Sequence, residues 1–256
     1  MNIFKQMFKS LYSPKEISLY RFQGIGKTIL YVFLLTLLSV IPTVYYISAA
    51  VINGLDAAQT AVKEQFPKFT IENGKLEAHQ QVAPIIINHD DFAIIFDSTG
   101  KVNEDDLSNE DNAIAFLHNE IFFVAGGNIQ SYPYSMFTFP ITNSDLQKFL
   151  DTLDSVTGII LVIMAIFIYI FSVGMKFIEI SIYALFGLLF KNMTRKNLQY
   201  RHLWRMAAYS VTLPTIFFTI MAALQTSVLN GFLINWFASL LVLFLAIKEV
   251  PKRKQN

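Results

Sequence analysis

Apolar residues fall into four long uncharged or nearly uncharged runs along this chain, at positions 28–50, 156–190, 206–224 and 231–247. The polar and acidic residues gather mainly between the first two. A helix rises about 1.5 Å per residue, so about 20 apolar residues span a hydrocarbon core of about 30 Å. Runs 28–50, 206–224 and 231–247 fit that length. Run 156–190 is too long for one crossing, and its only charged residues are Lys176 and Glu179. If the core is entered at Val156, a crossing over 156–175 leaves Lys176 near the inner interface, where its amine can snorkel. Residues 177–190 are then too few for another crossing. They are expected to lie along the inner leaflet, re-enter or fold back. The pattern predicts an α-helical integral membrane protein with four transmembrane crossings, further interfacial or re-entrant helices, and a small extracytoplasmic α+β domain.

The polar stretch 51–155 changes period. Leu55, Ala58, Val62 and Phe66 share a helical face, which predicts a helix leaving the membrane. Phe69-Thr70-Ile71 and Lys75-Leu76-Glu77 flank Asn73-Gly74, a hairpin signal. Short β-branched or aromatic runs follow at 85–87, 92–96, 113–117, 121–124 and 129–134, bounded by Asn, Asp or Gly. They predict a small antiparallel sheet or meander. Thr142-Asn143-Ser144-Asp145 then starts a helix whose face Leu146, Phe149, Leu150, Leu153 and Val156 leads into the second crossing. At the N-terminus, Ile3, Phe4, Met7, Phe8 and Leu11 predict an amphipathic helix on the inner leaflet. Ser13-Pro14-Lys15-Glu16 predicts a second helix start with a capping box. Pro42 and Pro214 are expected to kink their helices.

Charge gives the pattern a direction. The net charge of the 256 residues is only +1, which removes nucleic acid as an expected partner. Its distribution is uneven. Segment 1–27 holds Lys5, Lys9, Lys15, Arg21 and Lys27 against Glu16. Segment 51–155 holds five Lys against sixteen Asp or Glu. Segment 191–205 holds five basic residues and no acid, and 248–256 is basic again. Lysine and arginine mark the cytoplasmic side. The expected organisation is a cytoplasmic segment 1–27, crossing 28–50, an extracytoplasmic domain 51–155, crossing 156–175, an inner-leaflet helix and basic loop 176–205, crossings 206–224 and 231–247, and a cytoplasmic tail 248–256. The expected location is the bacterial plasma membrane, with both termini inside.

Chemistry is sparse. There are no cysteines, so disulfides and thiolate chemistry are excluded. Asp97-Ser98-Thr99-Gly100-Lys101 follows a strand, but it carries an extra residue relative to the aspartyl-protease signature and has no second copy. A phosphoaspartate enzyme would need a cytoplasmic nucleotide domain. A polar turn is the expected reading. His89-Asp90-Asp91 would point to alternate faces of a strand, and His79 and His118 have no partner at ligand spacing. The acids Glu104-Asp105-Asp106 with Glu110-Asp111 lack calcium-loop spacing and read as a solvated loop. No catalytic, metal-binding or cofactor-binding residues are singled out. Four residues are candidates for function: Lys176 and Glu179, an ionisable pair inside an apolar run, and Arg201 and Arg205 in the basic loop. Membrane lipid is one expected partner, and a protein in a membrane complex is another.

Phe4-Lys5-Gln6, the stretch from Leu11 to Lys15, Arg21-Phe22-Gln23-Gly24-Ile25-Gly26-Lys27-Thr28, positions 92–100, Gln130-Ser131-Tyr132 and the helix over 145–154 together carry a resemblance. On them the chain resembles a family of uncharacterised bacterial membrane proteins of low-GC Gram-positive species. Some members bear the label of maltodextrin-utilisation membrane proteins. The resemblance implies a cell-membrane protein with a link to carbohydrate uptake, and it supplies no catalytic residues. Two functions stand as expectations: a non-catalytic accessory or sensor protein whose external domain binds an envelope partner or ligand, and, as the alternative, an enzyme or transporter of lipid-linked or envelope substrates.

Overall fold

The computed structural model describes residues 2–80, 83–89 and 92–251. Asp90 and Asp91, and the tail bases Lys252, Arg253 and Lys254, lie outside the described residues. Two compact units emerge. One comprises residues 1–47 and 162–256, the other 48–161.

The first unit is helical. Helix α1 is Ile3–Ser10 and α2 is Pro14–Leu19, followed by a 3-10 turn at Tyr20–Phe22. Helix α3, Ile25–Thr60, passes Pro42 without interruption. Its first part belongs to this unit. So does the later part of helix α5, Asn143–Met193. Helices α6 (Tyr200–Ser210), α7 (Thr212–Ala223) and α8 (Gly231–Lys248) complete it. Among the described residues, four helical stretches are long and apolar enough to cross a membrane: 25–65, 143–193, 200–223 and 231–248. The core joins Ile17, Tyr20, Tyr31, Leu35, Ile180, Tyr183, Leu203, Tyr209 and Leu243.

Three expectations are corrected here. Segment 1–27 is docked into that core through Met7, Ile17 and Tyr20. Helix α1 turns Gln6 and Ser10 inward and leaves Phe4 and Phe8 exposed, at 65% and 64%. Gln6 accepts from the Tyr209 hydroxyl, which explains the inversion. Ser13 does cap α2, but the Glu16 carboxylate turns to Lys9 at 2.6 Å and leaves the capping box half made. Helix α5 does not break near residue 176. Its 51 residues run about 77 Å, and within 177–190 it buries Ile180, Tyr183 and Ala184. Those small and aromatic faces have partners on α6 and α8, so the helix has no reason to end at Lys176.

Among the described residues, the second unit carries eight strands: β1 Phe69–Glu72, β2 Lys75–Ala78, β3 Ile85–His89, β4 Phe92–Phe96, β5 Asn112–Phe116, β6 Glu120–Ala125, β7 Asn128–Pro133 and β8 Ile141–Thr142. They form two sheets, β2-β1-β8 and β3-β4-β5-β6-β7. The antiparallel expectation fails at one place. Strands β4 and β5 are parallel, with Ile94 opposite Ile114. A parallel pair needs a crossover, and residues 97–111 supply it. That crossover contains α4, Glu104–Leu107, so the acidic run is a short helix capped by Asn103 instead of a loop. Leu107 is its buried anchor. Strand β4 has apolar neighbours on both faces. Phe92, Ile94 and Phe96 meet one core with Phe66, Phe69 and Leu150, while Ala93 and Ile95 meet another with Leu107 and Phe122. Burial on both faces accounts for its unbroken apolar sequence.

The turns follow the expected chemistry. Asn73 and Gly74 both have positive φ, 53° and 78°, as a two-residue hairpin requires. Gly74→Ala is expected to cost about 1 kcal/mol. Hydrogen–deuterium exchange should show the loss as faster exchange confined to β1 and β2. Helix α5 begins where Thr142 and Asp145 cap each other reciprocally, at 3.1 and 3.4 Å.

Candidate functional site

Within the helical unit, residues of α3, α5, α7 and α8 line a shallow, open cavity of about 600 Å3. Its polar lining includes Ser39, Lys176, Thr215, Thr219 and Asn235, and Phe218 and Phe232 supply apolar wall. Lys176 is the charged residue of that lining. Its Nζ donates to Glu179 Oε2 at 2.7 Å and to Thr215 Oγ1 at 3.3 Å. Glu179 Oε1 accepts from the Tyr183 hydroxyl at 2.9 Å and from Asn235 Nδ2 at 2.7 Å. Both charged side chains are mostly buried. A buried ion pair persists only when its remaining donors and acceptors are satisfied, and three helices contribute to that here.

The spacing of Lys176 and Glu179, three apart on one helix, makes the pair legible from sequence. Its surroundings correct the snorkelling expectation. The Lys176 amine turns inward to Glu179 and Thr215. Asn235 sits in the first turns of α8, about 20 Å along the axis from Lys248. The pair is therefore far from the basic end of α8. Thr215, Asn235 and Tyr183 escaped the sequence reading because they come from other helices or look like ordinary core positions.

Arg201 and Arg205 are not part of this cavity. They lie on α6, where Arg205 Nη1 donates to the carbonyl of Arg21 at 3.0 Å. The four candidates thus form two separate groups.

In the sheet unit, a groove of about 180 Å3 is lined by Ile71, Asn73, Tyr134, Phe137 and Phe139 among others. Phe137 and Phe139 are exposed. The Tyr134 hydroxyl is buried with no hydrogen-bond partner, and its burial pushes the phenol well above its usual range. Sequence reasoning placed Tyr134 at a strand end and missed this groove. Asp97 is a turn residue, as expected. Its carboxylate accepts from the Thr99 N–H and hydroxyl at 2.8 and 2.6 Å and from the Val102 N–H at 2.7 Å. His118 Nδ1 contacts the Ser98 carbonyl at 2.9 Å, and His79 Nε2 contacts Thr70 Oγ1 at 3.2 Å. Among the described residues, no three His, Asp or Glu are grouped to hold a metal ion.

The fold and cavity define a class: a predominantly helical protein with four helices apolar enough for a bilayer, joined in one chain to a small sheet unit. Residues 4–247 match the family described as "Protein of unknown function (DUF1189)", and the chain belongs to that family. Neither the curated proteins nor the solved structures contain a match to it.

Proposed function

We propose that the protein is a multi-pass accessory or sensor protein of the bacterial plasma membrane. Its sheet unit binds an envelope partner or ligand outside the cell. Both termini and the basic segment 191–205 are cytoplasmic, following the rule that basic residues stay inside. Carbohydrate uptake, with maltodextrins as its substrates, is the pathway in view.

The groove beside Tyr134 is the observation that carries this reading. A buried hydroxyl without an acceptor costs free energy, and exposed aromatic rings beside it form a surface that a ligand or partner would cover. The test is purification of the full chain from native membranes with and without Phe137→Ser and Phe139→Ser. The expected result is a specific envelope protein or ligand retained by the wild type and lost from the double variant. Retention of nothing by the wild type, even after cross-linking, would refute it. Orientation can be checked on the same cysteine-free chain. Ser108→Cys is expected to react with an impermeant thiol reagent in intact cells and Arg195→Cys is not; labelling of Arg195→Cys reverses the topology.

The Lys176–Glu179 cavity favours a second reading, an enzyme or transporter acting on lipid-linked or envelope substrates. That reading fails if Lys176→Ala restores a deletion strain as fully as the wild-type gene.

A further inference from the structure

Three arginines and a histidine converge where α2, the 3-10 turn and α6 meet. Arg21 is 9% exposed, and its guanidinium lies 4.2 Å from the centre of the Phe22 ring. It donates to the Ser18 carbonyl. The Phe22 ring meets the His202 ring edge-on at 6.0 Å. Arg201 and Arg205 are four residues apart on α6 and so share a face, with His202 three residues before Arg205. Among the described residues the ion pairs are Lys9–Glu16, Lys63–Asp151 and Lys176–Glu179. None of them includes these arginines. Arg205 Nε is also buried without an acceptor. Like charges held together without a counterion raise the free energy of the fold, and an anion relieves it.

The surroundings indicate what the anion is attached to. The cluster sits at the foot of α3, whose apolar sequence begins at Ile25. Leu19, Phe22 and Ile25 are all exposed beside it. Charged donors next to exposed apolar side chains match an amphiphile with an anionic head and a hydrocarbon body. Arginine forks suit phosphate oxygens in particular.

We propose that Arg21, Arg201, His202 and Arg205 form a binding site for the phosphate of an anionic phospholipid. This rests on the helical unit being embedded in a bilayer, as proposed above. Arg201 is exposed, so it is the residue to change without disturbing the core. Arg205 instead ties α6 to the 3-10 turn, through its 3.0 Å bond to the Arg21 backbone carbonyl.

The test is native mass spectrometry of the full chain in detergent, supplied with equal phosphatidylglycerol and phosphatidylcholine. The wild type is expected to retain phosphatidylglycerol preferentially. Arg201→Gln is expected to weaken that preference about fivefold, and Arg201→Lys to keep most of it. Equal retention of the two lipids by the wild type overturns the site. So does an unchanged preference in a folded Arg201→Gln variant. A third arm adds inorganic phosphate. Failure to displace the lipid supports a headgroup site, whereas complete displacement at millimolar phosphate overturns the lipid assignment in favour of a free anion. A chain that stays monodisperse after detergent is removed without lipid would contradict membrane embedding itself, and that outcome is separate from any lipid preference.

Discussion

Glu179→Ala is expected to destabilise the helical unit by about 3–5 kcal/mol, the usual cost of removing one partner from a buried ion pair. Glu179 accepts three hydrogen bonds, from Lys176, Tyr183 and Asn235. Its loss strands a lysine amine, a phenol and a carboxamide together in an apolar bundle. Thermal or denaturant unfolding of the detergent-solubilised chain would read the change. Lys176→Met combined with Glu179→Leu should recover the part of the loss that comes from the stranded amine, while Tyr183 and Asn235 still lack their acceptor. A double-mutant cycle makes the comparison quantitative. If Glu179→Ala unfolds within experimental error of the wild type, the network is not a structural hub.

Asp97→Ala is expected to cost the sheet unit about 1–2 kcal/mol, from the Thr99 and Val102 N–H groups losing a carboxylate acceptor in a partly buried turn. Asp97 is 1% exposed. Burial pushes its carboxyl up, but the hydrogen bonds from the Thr99 hydroxyl and from the Val102 and Thr99 N–H groups together hold it below the usual range. A folded pKa below the unfolded value of about 3.9 means that the stabilisation is fully present above about pH 5. It is lost as the pH falls through the folded pKa. Hydrogen–deuterium exchange on the full chain should show β4, the 97–111 crossover and β5 opening in Asp97→Ala at neutral pH. The wild type should show the same opening only in acid. A variant that exchanges like the wild type in these segments would refute the assignment.

Local signals in the chain were legible because their physics is local. Asn73-Gly74 demands a tight hairpin wherever it sits between strands. The apolar runs name the long helices through length alone. The parallel pairing of β4 with β5 was not legible, because both strands look alike to any partner and the choice depends on where the crossover lands. Lys176 suggested an interface because a lone lysine in an apolar helix has few other places to go. Asn235 and Thr215, far along the chain, provide that other place. Arg21 joins Arg201 and Arg205 for the same kind of reason: the contact exists only after α2 and α6 have met. The groove at Tyr134 depends on a hydroxyl losing its partners, which no residue pattern announces.

Helices α3 and α5 each supply residues to the core of the helical unit and to one core of the sheet unit, Leu35 and Ala57 from the first, Ile180 and Leu150 from the second. A loop absorbs an added residue as slack, whereas a regular helix turns it into about 100° of rotation. Length drift is therefore admissible in the 97–111 crossover and at hairpin tips. Along α3 and α5, counting errors become facing errors, and the spacing between anchor positions is as much a part of this protein's code as the anchors themselves.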